Sequence, residues 1–114
     1  MSVALRYRPL PAEGFPTWPR ALRNQSGVYV IRERSNGHRI LYVGESHTGQ
    51  LYDTLTRHFQ RWRDPRRPRA IYRRGAVEVA FRTMPANAAT EHQNKLIRRL
   101  QPRDNNFVPE PDPF

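Results

Sequence analysis

The chain has 114 residues, enough for one domain, and its 37% hydrophobic content suffices for one modest core. It contains no cysteine, which excludes a disulfide framework, a thiolate metal site and a cysteine nucleophile. Twenty basic residues oppose ten acidic ones, a net charge of +10, and all the basic residues but Lys95 are arginine. Arginine forks suit phosphate oxygens, so a polyanionic partner is expected, nucleic acid first.

No apolar run approaches the roughly 18 residues of a membrane helix, and the opening "MSVALRYRPLPAEG" lacks the apolar core of a signal peptide. The expectation is therefore a cytoplasmic protein with no membrane contact. Residues 1–25 hold four prolines, Pro9, Pro11, Pro16 and Pro19, and read as an irregular arm packing Phe15 and Trp18 onto the body.

Residues 28–31 and 40–43 are β-branched and aromatic runs around Asn36-Gly37, a strong hairpin signal. A two-residue type I′ turn would pair Ser35 with His38, Ile31 with Tyr42 and Tyr29 with Gly44. Tyr29 and Tyr42 would then share one sheet face, with an open space at Gly44. Val28, Val30, Leu41 and Val43 would serve the core on the other face. A three-residue turn would break this parity.

Leu51, Leu55, Phe59 and Trp62 recur at helical spacing, and Pro65 ends that helix. A basic loop follows, with Arg61, Arg63, Arg66, Arg67, Arg69, Arg73 and Arg74 interleaved with Trp62 and Tyr72. Such a loop is either a solvated face or a set of sequence-independent phosphate contacts. Residues 77–81 alternate as a third strand, and Pro85 opens a second helix that Pro102 stops. The tail "FVPEPDPF", residues 107–114, reads as extended. The order β-β-α-β-α predicts an α+β fold, a small three-stranded and mainly antiparallel sheet flanked by helices.

Gly27-Val28-Tyr29 followed by Tyr42-Val43-Gly44 resembles the signature of the GIY-YIG nuclease superfamily. The resemblance runs on through "LYDTLTRHF" and "HQNKLIRRLQPRDN" and covers residues 26–106. It implies a metal-dependent DNA endonuclease using one Mg²⁺ or Mn²⁺, with Tyr29 and Tyr42 lining the site. A phenol with the usual pKa near 10 is a poor base at neutral pH, so a cation would have to assist.

On the first helix the family's arginine position holds Thr54, with Arg57 one turn on, while His58 matches the family's histidine. On the late helix the family's metal-binding glutamate falls on Gln93, which contributes an oxygen but no charge. Glu91 and Glu45 are alternative carboxylates, and His47 an added imidazole. Asn105 matches the family's final polar residue. Two other readings stay open: a nucleic-acid-binding module of the same fold that cuts weakly or not at all, and a protein-interaction domain using the proline-rich ends. Targeting would need a partner protein or a homodimer.

Overall fold

The computed structural model describes residues 5–9, 22–35, 37–56 and 72–105. Their centre is strand β2, Gly27–Glu33, whose residues 27–31 are all buried. A strand covered on both faces has no need of polar alternation, which is why residues 28–31 run unbroken as Val-Tyr-Val-Ile.

Strand β3, Ile40–Ser46, pairs antiparallel with one edge of β2, and β4, Val77–Thr83, pairs antiparallel with the other. The arm before the hairpin is not wholly irregular. Arg8–Pro9 forms a short strand β1 that pairs with β4, so the sheet has four strands in the order β1-β4-β2-β3 rather than the three expected. Proline, which lacks an N–H, is tolerated there because β1 is an edge strand. Side chains fasten the arm as well: the Arg32 guanidinium lies 3.5 Å from the Tyr7 ring centroid and its Nε donates to Glu78.

The two helices cover opposite faces. Helix α1, described over Leu51–Thr56, buries Leu51 and Leu55 against Tyr29, Ile31 and Val79. Helix α2, Ala86–Leu100, lays Leu96 and Ile97 on Val28, Val30 and Val43. Each such aliphatic side chain removed from water contributes about 1.5–3 kcal/mol. The end of α2 falls at Leu100, as Pro102 predicts: Gln101 turns left-handed at φ 48° and donates its N–H to the Ile97 carbonyl.

The hairpin keeps the expected register where it matters and departs from it near the turn. Ile31 faces Tyr42 and Tyr29 faces Gly44, but Arg32 pairs with Ile40, not Leu41. His38 N–H does donate to Ser35 O at 3.1 Å, yet the last paired residues are Arg32 and Ile40, the Glu33 N–H beyond them donates to Arg39 O at 2.9 Å, and His38 as well as Gly37 has positive φ. The connection is therefore longer than a two-residue turn. The surplus residue is absorbed as a bulge at Leu41, which restores the parity beyond it. The bulge also moves Leu41 from the valine side, where alternation would put it, to the tyrosine side, where it is buried with Tyr29 and Ile31.

Candidate functional site

Tyr29 and Tyr42 share a sheet face, with ring centroids 6.1 Å apart and planes inclined by 27°. Their roles differ. Tyr29 is wholly buried, its Oη 3.5 Å from the Thr54 carbonyl oxygen on α1, whereas Tyr42 is only partly buried at the edge strand. The open space expected at Gly44 is instead filled by Tyr29 itself. A Cβ on Gly44 would stand 2.3 Å from both Cζ and Oη of that ring. The glycine is the bed on which the phenol lies.

Asn105 folds back onto the outer edge of β3. Its Oδ1 accepts from the Val43 N–H at 2.9 Å and its Nδ2 donates to the Val43 carbonyl at 2.8 Å, so the side chain imitates one more strand residue. Arg103 N–H donates to Ile40 O and Asp104 N–H to Leu41 O, which covers the start of that edge. The Asn105 carboxamide thus acts on the backbone flanking Tyr42. Asn105→Ala should cost about 2 kcal/mol, since two buried backbone groups lose their partners. A midpoint unchanged in denaturant titration would refute this accounting.

Two neighbours of the phenols went unread in the sequence. Tyr72, buried with Tyr29 and Leu41, donates from Oη to Asp104 Oδ2 at 2.7 Å. Burial and the adjacent carboxylate hold the Tyr72 phenol well above its ordinary range. The Asp104 carboxyl is held below its ordinary range by Arg103, whose guanidinium meets it at 2.8 and 2.9 Å. The sequence signal was there in part: a tyrosine in an arginine-rich stretch, and an acid directly before Asn105.

The residues expected to bear a cation lie elsewhere. Glu45 pairs with Val28 across the ladder, which puts it on the valine face, and its carboxylate oxygens are 3.1 Å from His47 Nδ1. Glu91 points outward from α2, 68% exposed, and meets Lys95 at 3.3 Å. Gln93 shares the α2 stripe of Ala89, Leu96 and Ile97, which is turned to the valine face. The sheet therefore stands between these three side chains and the tyrosine pair. Among the described residues no three His, Cys, Asp or Glu side chains group to hold a metal ion. Glu45 and Glu91 are already matched to His47 and Lys95, and Asp104 to Arg103 and Tyr72, so these three carboxylates do not fit a divalent cation on the tyrosine face.

The loop after β3 is no phosphate cradle either. Ser46 Oγ accepts from the N–H groups of Thr48 and Gln50, and Ser26 Oγ from that of Gly49, so these amides are already engaged. Arg73 is exposed, and Arg74 begins a short 3-10 turn, Arg74–Ala76. Arg57, His58, Arg61, Arg63, Arg66, Arg67 and Arg69 lie outside the described residues, as do Phe15, Trp18 and the tail. No helix among the described residues is long and apolar enough to cross a membrane.

What stands together is a pair of stacked phenols, Tyr29 bedded on a glycine, with a third phenol, a carboxylate and a carboxamide securing the strand of the partly buried Tyr42. Searches of protein-family models, curated proteins and solved structures return no match to the chain.

Proposed function

We propose that the chain is a GIY-YIG-type domain that binds DNA and hydrolyses its phosphodiester backbone. The observation that carries this reading is the register of the hairpin. Tyr29 lies over Gly44 and stacks on Tyr42, which gives the two mirrored tripeptides one joint geometry. Of the two phenols Tyr42 is the less buried, and in this reading it meets the phosphate while Tyr29 is its buttress. The Tyr42 O–H would donate to a non-bridging phosphate oxygen, where charge builds as water attacks. The net charge of +10 supplies sequence-independent attraction to the strand.

The resemblance brings with it one Mg²⁺ or Mn²⁺ to polarise the phosphate. Since Glu45, Glu91 and Asp104 are engaged elsewhere, the steps above are assigned to the chain's own groups. The same observation favours a second reading, a module of this fold that holds nucleic acid without cutting it.

Supercoiled plasmid separates the two. Incubated with Mg²⁺ or Mn²⁺, the protein should yield nicked or linear product, and Tyr42→Phe should slow this by at least about tenfold. Gel retardation at low salt without cutting selects the binding module. Neither retardation nor cutting overturns both and leaves a protein-interaction domain, which can be sought as a partner protein or a homodimer.

A further inference from the structure

An edge strand offers its backbone on one side only, so a reactive side chain carried there is held less firmly than one on a central strand. Tyr42 is such a side chain, and residues 103–105 compensate. Leu41 O is met by the Asp104 N–H at 2.8 Å, and both backbone groups of Val43 are met by Asn105. The residues on either side of Tyr42 are thereby fixed from outside, while Tyr42 itself pairs inward with Ile31.

Something must hold residues 103–105 in turn. They follow the left-handed end of α2 at Gln101 and belong to neither helix nor strand. Beyond their bonds to β3 itself, Arg103 faces Glu33 at 3.9 Å and the Asp104 Oδ2 receives the Tyr72 O–H at 2.7 Å, the shorter of these two side-chain ties. Tyr72 is a fixed post, 8% exposed and packed in the same cluster as Tyr29, Leu41 and Leu55. Tyr42 packs against that same cluster.

We propose that Tyr72 and Asp104 are positioning residues for Tyr42: their phenol–carboxylate hydrogen bond latches residues 103–105 onto the edge of β3 and so sets where the Tyr42 ring stands. The inference rests on the reading of Tyr42 as the phenol that meets the phosphate. The latch acts through backbone, and neither Tyr72 nor Asp104 touches DNA.

The test uses the full chain carrying ¹³C-labelled tyrosine, with the Tyr42 ring resonance assigned through Tyr42→Phe. Tyr72→Phe removes one oxygen from a buried ring and keeps its shape. It should move the Tyr42 resonance and leave that of Tyr7, which packs on the opposite face, in place. Single-turnover plasmid cleavage should slow about tenfold while DNA affinity at low salt stays within about twofold, as expected when a reacting group is displaced rather than removed. Asp104→Ala should do the same, and the double variant should be no slower than the slower single one. Asp104→Asn, which keeps an acceptor for the phenol, should restore the resonance and most of the rate. An unmoved Tyr42 resonance in Tyr72→Phe overturns the latch, and so does a rate loss matched by an equal loss of affinity. Should the wild type bind plasmid without cutting it, the nuclease reading falls, while the resonance still decides whether the latch exists.

Discussion

Gly27→Ala should destabilise the chain by about 3–4 kcal/mol, from the sum of a steric overlap and a strained backbone. The new Cβ would lie 2.0 Å from the Arg82 carbonyl oxygen and 2.9 Å from the Thr83 Cα. Both are backbone atoms of β4, held by the ladder that pairs Gly27 with Thr83 and Val28 with Arg82. A flexible side chain could move aside, but a paired strand can retreat only by giving up its hydrogen bonds. Gly27 also has φ +155°, an unfavourable conformation for a residue with a Cβ. For a domain of this size such a loss lowers Tm by about 10–20 °C, at the usual several degrees per kcal/mol. Gly37→Ala is the control. Its φ of +75° is strained, yet a Cβ there meets nothing within 4 Å, so it should cost only about 1 kcal/mol. Thermal melts followed by circular dichroism decide the matter; equal shifts for the two variants would show that strain alone, and not the approach of β4, accounts for Gly27.

Much of this was readable before any coordinates. The β-branched and aromatic runs at residues 28–31 and 40–43 announce a hairpin, and β2 and β3 form it. Pro85 and Pro102 bracket α2, whose observed bounds are those the prolines imply. The hairpin register could be counted outward from Asn36-Gly37, and Tyr29 does face Gly44. The count survived for a reason the sequence did not disclose: the connection is longer than two residues, and the bulge at Leu41 cancels the slip. Tyr42 keeps its face because Leu41 loses its own.

The rest stayed hidden because it depends on contacts distant in the chain. A stripe such as Ala89, Leu96 and Ile97 says that a helix packs, but not which sheet face receives it. Gln93 and Glu91 therefore carried no sign that the sheet stands between them and the phenols. Strand parity did carry the sign for Glu45, since a residue one step from Gly44 belongs to the opposite face. The partnership of Tyr72 with Asp104 spans 32 positions, and that of Asn105 with Val43 spans 62. Local periodicity is blind to both.

Gly44→Ala should cost about 3 kcal/mol by overpacking a site that has no slack. The added Cβ would meet Tyr29 Cζ and Oη at 2.3 Å and Cε1 at 2.7 Å. These atoms end a side chain, so whether the ring can yield decides the outcome. Tyr29 is 0% exposed, packed with Leu22, Leu51 and Leu55, and stacked on Tyr42, so a displaced ring has to push these neighbours aside. The clash belongs to the ring and not to the hydroxyl, which gives the prediction its sharpest form. Tyr29→Phe keeps Cζ in place and should leave the cost of Gly44→Ala almost unchanged. Tyr29→Leu removes the offending atoms. Alone it should cost about 3 kcal/mol as a cavity, but combined with Gly44→Ala it should cost less than the sum, with a coupling above about 1 kcal/mol. Urea titration of the wild type, the two single variants and the double variant measures that coupling directly. If the two substitutions simply add, Tyr29 does not rest on Gly44, and the mirrored tripeptides lose the geometry that links them to a common site.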